Sequence, residues 1–193
     1  MQQVIIVLAD TTEQAEKNEE FIELVQAADM EIKETFTQNL KSITLRTYIG
    51  TGKCEEIHAY LQEQEIQRVV FNHDLSPLQI RNLEEILQTP VMDRTELILA
   101  IFESRAVTRT ARLQIECAQL KKLLPRLIGA NTQLGRQSGS GKNKGAGEKQ
   151  LELDRRRINA RIQELQRELK KIEAQRFNQR RARQKSMLPL VSL

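Results

Sequence analysis

The first hundred residues alternate short apolar runs with stretches of helical periodicity. Residues 4–8 read VIIVL, an uninterrupted and mostly β-branched run of the kind found in strands buried on both faces of a parallel sheet. Shorter segments at 30–37, 69–71 and 90–92 have the character of further strands. Helical patterns stand between them, including one over 55–64.

Capping residues mark where those helices are expected to begin. Three polar pairs have the spacing of a capping box, and a proline at the first helical position strengthens the second of them. The pairs are Asp10 with Glu13, Ser76 with Gln79, and Asp93 with Glu96. The resulting βαβα order predicts an α/β fold over residues 1–104, with a small parallel sheet and flanking helices.

The pattern changes in the second half of the chain. No glycine or proline occurs from Thr95 to Leu124, which predicts one long helix there. Apolar residues then recur in alternating steps of three and four on both sides of a glycine-rich stretch, which predicts a long antiparallel two-helix coiled-coil hairpin over 105–185. The two apolar seams are Leu113, Cys117, Leu120, Leu124 and Leu127, and Ile158, Ile162, Leu165, Leu169 and Ile172.

The stretch between the seams predicts an exposed tip. Six of the eight glycines fall between positions 129 and 147, mixed with lysines. Pro125 is expected to kink or end the first helix, so that residues of about 129–149 form a loop at the end of the hairpin. Residues 186–193, which include LPLVSL, read like the first strand of a further domain.

The charge is divided between the two halves. Residues 1–104 carry 8 Lys and Arg against 19 Asp and Glu, whereas residues 105–193 carry 22 against 7. The formal charge therefore changes from −11 to +15, although the whole chain carries only +4. We expect a polyanionic partner to bind the second half. The alternative is a solvated basic hairpin without a partner.

The glycines and lysines do not complete a phosphate-binding loop. In the pattern G-x-x-x-x-G-K-[ST], backbone amides hold the phosphates and the final hydroxyl binds Mg²⁺. The pair Gly141-Lys142 lacks the first glycine and the final hydroxyl, and YIGTGK at 48–53 lacks them as well. The dinucleotide pattern G-x-G-x-x-G is also incomplete. An α/β domain that binds nucleotide through YIGTGK, with weak ATPase or GTPase activity, is kept as an alternative function.

The sequence shows no pattern typical of catalysis or of metal binding. His58 and His73 have no Ser, Cys or carboxylate at a spacing that implies a triad or a metal site. Cys54 and Cys117 lie far apart and are expected to be reduced packing residues. The longest apolar run is too short to span a membrane, and the amino terminus lacks the features of a signal peptide. We therefore expect a cytoplasmic chain that is not an enzyme by itself and has no membrane partner.

Basic residues follow both arms of the predicted hairpin, among them Lys122, Arg126, Arg161 and a group from Arg176 onward. Phe177 is the only aromatic residue after Phe102, so contacts with the phosphates and sugars of a structured RNA are expected rather than base stacking. Glycines at the tip allow close approach of the backbone to RNA. The candidate RNA-binding residues are Arg136, Lys142, Lys144, Gly145, Gly147, Lys149, Arg155, Arg156 and Arg157. A coiled-coil module that binds a protein is a further alternative.

Five ordered segments resemble the amino-terminal region of the HflX family of translational GTPases. They are YIGTGKCEEI (48–57), LSPLQIRNLEE (75–85), VMDRTELILAIFESRAVT (91–108), ARLQIECAQLKKLLPRLIG (111–129) and GEKQLELDRRR (147–157). The resemblance covers most of the chain from about residue 48. It implies that LPLVSL begins the GTPase domain, and that the site for GTP and Mg²⁺ lies beyond it.

The resemblance also implies a function. Members of the family bind the large ribosomal subunit and its rRNA, and they split or rescue ribosomes under stress. The loop of their helical hairpin approaches the peptidyl transferase centre, which implies an rRNA-binding role for 136–149 and for Arg155, Arg156 and Arg157. The partners implied are the large subunit and the chain's own GTPase domain, with the protein a monomer and only the full-length form a GTPase.

The tip departs from the usual family pattern. Typical members read GTRGPGETQLE where this chain reads GSGKNKGAGEKQLE, so the arginine and proline before the final glycine are absent and threonine is replaced by Lys149. The acidic residues and the three arginines that follow persist. The resemblance therefore implies a tip that is richer in lysine than is usual for the family.

Overall fold

The computed structural model describes residues 2–10, 15–137 and 144–185. Four strands and six helices lie in this part of the chain. The strands are β1 (Gln2–Asp10), β2 (Met30–Asn39), β3 (Arg68–Phe71) and β4 (Val91–Met92). The helices are α1 (Ala15–Ala27), α2 (Thr51–Glu63), α3 (Pro77–Leu87), α4 (Arg94–Arg105), α5 (Arg109–Gln137) and α6 (Lys144–Lys185).

All four strands pair in parallel, in the order β2-β1-β3-β4. Strand β1 is central, and its side chains alternate between two apolar layers. Ile5 and Val7 face a layer that includes residues of α2 and α3, whereas Val4 and Ile6 face a layer that includes residues of α1 and α4. Burial on both faces explains why β1 is an unbroken apolar run. The predicted small parallel sheet with flanking helices is confirmed.

Local sequence explains where two of the helices begin. At the start of α3, Ser76 Oγ accepts a hydrogen bond from the Gln79 amide and the Gln79 side chain accepts one from the Ser76 amide, which is the predicted capping box. At the start of α4, Asp93 Oδ1 accepts a hydrogen bond from the Glu96 amide at 2.9 Å. Helix α2 begins at Thr51, four residues before its predicted start.

Asp10 is engaged at the end of the sheet. It is the last residue of β1, and its carboxylate contacts side chains that follow β3. Glu13, its predicted capping partner, lies outside the described residues, and α1 is described from Ala15. The predicted capping box of Asp10 with Glu13 therefore stays a prediction.

The long helix predicted from Thr95 is divided in two. Helix α4 ends at Arg105, and α5 begins at Arg109. Thr108 Oγ1 accepts a hydrogen bond from the Ala111 amide, and Arg112 Nε donates one to the Ala106 carbonyl at 3.0 Å. A threonine cap and a guanidinium thus satisfy polar groups exposed by the break, which is why the chain turns here without glycine or proline.

Helices α5 and α6 form the predicted hairpin, and contacts between its arms show that they are antiparallel. Thr110 contacts Arg176, and Glu116 contacts Arg161. Leu113, Cys117, Ile162 and Leu165 are buried between the arms. The partly buried residues packed against them are Leu120, Leu124, Ile158, Leu169 and Ile172.

The helices extend into the stretch for which the sequence predicts a loop. Helix α5 continues to Gln137 with Pro125 inside it, and α6 begins at Lys144. The predicted loop at 129–149 is therefore too long. A glycine inside a helix costs about 1 kcal/mol relative to alanine, which does not stop a helix that is already nucleated. Composition alone therefore overestimated the length of the loop.

Candidate functional site

The hairpin is attached to the α/β part by ion pairs between α5 and α4. Lys122 Nζ lies 2.6 Å from Oδ2 of Asp93, whose side chain is 0 % exposed. Arg126 Nη2 lies 2.8 Å from Glu96 Oε1. Asp93 is therefore both the helix cap that the sequence predicts and the anchor of the basic arm. These contacts fix the position of α5 on the sheet domain.

Several cations of the arms are thus engaged inside the molecule. Lys122 and Arg126 bind the α/β part, and Arg109 Nη2 lies 2.8 Å from Glu168 Oε2 across the hairpin. Charge along the sequence therefore overstates the surface that the arm offers to a polyanion. Exposed cations remain at Lys121 on α5 and along the outer face of α6.

Arg161 joins the two arms at mid-length. Its Nε lies 2.7 Å from Glu116 Oε1 and its Nη2 lies 3.1 Å from Glu116 Oε2, while Nη1 lies 2.8 Å from Glu164 Oε2. Hydrogen bonds that the guanidinium donates to the two carboxylates, to Glu116 first, raise the pKa of Arg161. Because this fork is planar and bidentate, it sets the register of α6 against α5.

The candidate tip residues lie around the end of the hairpin. Arg136 is in the last turn of α5, and Lys144, Gly145, Gly147 and Lys149 are in the first two turns of α6. The side chains at these positions lie outside the described part of the chain, as does Lys142 altogether. The backbone therefore places five of the candidates beside the tip.

Arg155, Arg156 and Arg157 lie on α6 close to the tip. Arg155 and Arg156 contact Glu152 at 3.3 and 3.0 Å, and Arg157 contacts Asp154 at 3.3 Å. The side chains of Arg156 and Arg157 are each 73 % exposed. Ion pairs this exposed contribute about 0 to 1 kcal/mol, so a phosphate can replace the carboxylate at little cost.

A second polar cluster lies at the carboxyl edge of the sheet. The chain leaves β1 for β2 on one side and returns to β3 on the other, so the strand order reverses between β1 and β3. His73 Nε2 lies 2.8 Å from Asp10 Oδ1, and Asn72 Nδ2 donates to Asp10 Oδ2 at 3.2 Å. Ligands of open parallel sheets bind at this topological switch point.

Tyr48 covers one side of this cluster, which we call the edge cluster (Asp10, Tyr48, Asn72 and His73). Its ring lies 5.4 Å from the His73 ring, and its backbone has φ = 67°, a conformation that residues other than glycine rarely adopt. Burial, and then the charge of Asp10, raise the pKa of the Tyr48 phenol. Strained residues of this kind occur preferentially at functional sites.

The sequence carries a signal for the edge cluster at the ends of two strands. Asp10 follows VIIVLA directly, and Asn72 and His73 follow VVF. Polar residues at the carboxyl ends of consecutive parallel strands meet at one edge, although their separation in sequence exceeds 60 residues. Finding them required the assumption that β1 and β3 are neighbours.

The YIGTGK segment forms the end of the loop before α2 and the first turn of that helix. Gly50 is the helix cap, and its amide donates to Gln38 Oε1 at 3.1 Å. Lys53 Nζ lies 2.6 Å from Glu56 Oε2, in the next turn of the same helix. The lysine of this segment therefore pairs with its own helix, whereas a phosphate loop directs its lysine to the ligand.

No group of three or more His, Cys, Asp or Glu side chains in the described part of the chain could hold a metal ion. No helix described there has both the length and the apolar character that crossing a membrane requires.

Comparisons with known families identify both parts of the chain. Residues 15–103 match the model described as GTP-binding GTPase N-terminal, and residues 105–183 match that described as GTP-binding GTPase Middle Region. The boundary between the two matches falls at the end of α4, where the structure divides the sheet domain from the hairpin.

Several relatives carry the name GTPase HflX. The protein of Caldanaerobacter subterraneus subsp. tengcongensis is 39% identical over 190 residues, which cover 98% of this chain and 44% of the relative. That of Lacrimispora saccharolytica is 40% identical and covers 100% and 46%, and that of Escherichia coli is 42% identical and covers 91% and 41%. This chain thus spans less than half the length of these relatives.

Solved structures show the same fold. A crystal structure of SsGBP in complex with GDP superimposes with a TM-score of 0.70 at 24% identity and covers 92% of this chain and 46% of its own. A GTP-binding protein from Sulfolobus solfataricus in complex with GDP gives a TM-score of 0.66 at 24% identity, with 90% and 46% covered. The family models and the relatives together show that this chain belongs to the HflX family and corresponds to its amino-terminal region.

Proposed function

We propose that the hairpin is a docking arm for structured RNA of the large ribosomal subunit in the cytoplasm. The observation that carries the proposal is the basic outer face of α6, on an arm that Lys122 and Asp93 attach to an acidic domain. The acidic domain repels phosphates while the arm attracts them, so the arm is oriented with its tip toward the RNA. The apolar seam is covered within one chain, which supports a monomer.

The mode of binding follows from the residue types on the arm. The hairpin of α5 and α6 contains one aromatic residue, Phe177, so stacking on several unpaired bases is not available to it. Arginines and lysines instead contact phosphates and sugars, which suits a folded RNA that is recognised by its shape. A narrow two-helix arm can enter a cavity that a compact domain cannot.

In the full-length protein we propose that this arm works with a GTPase domain to split or rescue ribosomes under stress. The names and lengths of the relatives support a GTPase domain after the hairpin. GTP and Mg²⁺ would bind in that domain, and its nucleotide state would control docking of the arm. Comparison of subunit splitting by the full-length protein with GTP and with GDP tests this part of the proposal.

Neutralising the tip lysines is expected to weaken binding to large subunits. Replacement of Lys142, Lys144 and Lys149 by alanine removes three charges that release counterions when they meet phosphates. The slope of log K against log salt is expected to decrease in magnitude by about 2 to 3, because each phosphate contact contributes about 0.7 to 0.9. Cosedimentation of the 193-residue chain with purified large subunits between 50 and 200 mM salt measures the slope.

The matched control places the same change on the acidic domain. Lys17, Lys33 and Lys41 are exposed there, and their replacement by alanine removes three charges at positions that are not on the arm. This control is expected to keep the wild-type slope. Equal slopes for the tip variant, the control and the wild type would contradict a role of the tip in RNA binding.

A second candidate function is nucleotide binding by the α/β part, and the edge cluster is the observation that favours it. We propose the switch point beside Asp10 and His73 as the place, rather than the YIGTGK lysine, which pairs with Glu56. If this function holds, calorimetry of the 193-residue chain shows heat of binding for ATP or GTP, and His73→Ala weakens it. Absence of binding heat with either nucleotide at millimolar concentration would exclude it.

A further inference from the structure

The carboxyl-terminal part of α6 projects beyond its partner helix. Helix α5 begins at Arg109, and near its start Arg176 Nη2 donates to Thr110 Oγ1 across the hairpin at 3.0 Å. Residues 177–184 are all exposed. At a rise of 1.5 Å per residue, α6 extends about 14 Å past the start of α5 before it ends at Lys185.

This projecting segment has cations without acidic residues. Glu173 is the last acidic residue of α6, and the twelve positions from 174 to 185 contain four arginines and a lysine. Helical ion pairs join residues three or four positions apart. Nearer the tip such partners exist, since Glu152 and Asp154 contact the arginines at 155–157. No acidic residue stands three or four positions from Arg180 in the sequence.

The cations of this segment share one face. Arg176, Gln179, Arg180 and Arg183 line a single open groove along α6, with a volume of about 290 Å³. Their spacing of three, four and seven residues places them in a row about 10 Å long. Like charges at this spacing destabilise a helix by a few tenths of a kcal/mol, and a bound polyanion removes that repulsion.

We propose that Arg176, Arg180 and Arg183 form a phosphate-binding stripe at the base of the hairpin, which is a second RNA contact separate from the tip. The proposal rests on the proposed RNA-docking function and assigns it a second site. Guanidinium groups bind phosphate oxygens in a bidentate manner, and the Gln179 amide can donate to the same strand.

Two RNA contacts on one helix would fix the direction of the arm, which a single contact does not. Arg156 and Arg180 are separated by 24 residues, or about 36 Å along α6. A single cluster at the tip leaves the arm free to pivot on the RNA, whereas a second cluster at the base fixes its direction. The second contact also forms within the complex and so adds affinity through effective concentration.

The test removes charge from the stripe without disturbing the hairpin. Arg180→Gln with Arg183→Gln leaves Arg176 and its contact with Thr110 intact, and glutamine is a good helix former. The matched control, Lys17→Gln with Lys41→Gln, makes the same charge change at exposed positions of the sheet domain, remote from the arm. Both are compared with wild type for cosedimentation of the 193-residue chain with purified large ribosomal subunits between 50 and 200 mM salt.

We expect the stripe variant to lose affinity on the order of tenfold and its salt slope to decrease in magnitude by about 1.5, with the control near wild type. Arg180→Lys with Arg183→Lys is expected to keep the slope, because the charge remains. Circular dichroism is expected to show equal helix content in all variants. If the glutamine variant alone unfolds, the lysine variant carries the test, and it is expected to keep the salt slope but to bind with reduced affinity.

Three results would overturn the proposal. If the stripe variant binds like its control while the tip variant is weakened, the stripe is not an RNA contact but the proposed function stands. If the wild-type chain does not bind subunits at all, the proposed function fails and the stripe with it. If the stripe variant keeps its RNA affinity but limited proteolysis of the full-length protein shows a loosened GTPase domain, the stripe binds that domain.

Discussion

Replacement of Lys122 by methionine is expected to destabilise the protein by about 3 kcal/mol. The change leaves the Asp93 carboxylate, which is 0 % exposed, without its cation at 2.6 Å. Removal of one partner from a buried ion pair is costly because the other charge stays buried and unpaired. For a chain of this size the melting temperature is expected to fall by about 6 to 12 °C, as measured by circular dichroism or calorimetry.

A double variant separates the pair from the packing around it. Asp93→Asn together with Lys122→Met removes both charges and keeps an acceptor for the Glu96 amide at the start of α4. This variant is expected to recover most of the lost stability. The neighbouring exposed residue serves as the control, and Lys121→Met is expected to change stability by less than about 0.5 kcal/mol.

The pair also has a consequence for function. Lys122 and Asp93 join the arm to the sheet domain. Loss of this ion pair is therefore expected to detach the hairpin from the sheet domain while the α/β core stays folded. Faster amide hydrogen exchange at the junction of α4 and α5 would report this. A Lys122→Met protein as stable and as protected as the wild type would show that the other contacts, including the Arg126–Glu96 pair, are enough to hold the arm.

The second large effect is expected in the seam of the hairpin. Leu165 is 0 % exposed and packs between the arms with Leu113, Cys117 and Ile162. Replacement of a buried leucine by alanine costs about 2 to 5 kcal/mol of folding free energy, because the burial of the removed atoms is lost and a cavity remains in their place. The seam has few other buried residues, so Leu165→Ala is expected to separate the arms and abolish binding to large subunits.

Leu153 provides the matched control for this experiment. It lies on the same helix and is 46% exposed, so Leu153→Ala is expected to change stability by less than about 1 kcal/mol and to leave subunit binding unchanged. Thermal unfolding and cosedimentation are measured on both variants. Binding that survives in an unfolded Leu165→Ala hairpin would show that charge alone, and not the shape of the arm, is recognised.

The position of the hairpin bears on how GTP could act through it. The arm is joined to the sheet domain at α4 and α5, and the described part of α6 ends beyond the base of the hairpin. A domain that follows α6 would therefore meet the arm at the end away from its tip. Movement of such a domain would be transmitted along a continuous helix of 42 residues to the tip, which we propose as an RNA contact.

The sequence alone determined the elements whose signal is local. The apolar run of β1 predicted a buried parallel strand, the Ser76 and Asp93 caps predicted helix starts, and the alternating steps of three and four predicted the seam around Leu165. Each pattern follows from a period of the backbone or from a hydrogen bond across three residues, so it can be found in the order of the residues. The family resemblance rested on segments of the same kind.

The tertiary structure alone decided which charges are available and which polar residues meet. Lys122 and Arg126 look like RNA-binding cations in the sequence, but the fold pairs them with Asp93 and Glu96. Asp10 and His73 look unrelated, but the parallel pairing of β1 and β3 brings them to 2.8 Å. Both results depend on contacts between elements far apart in the chain, and such contacts leave no period in the sequence to reveal them.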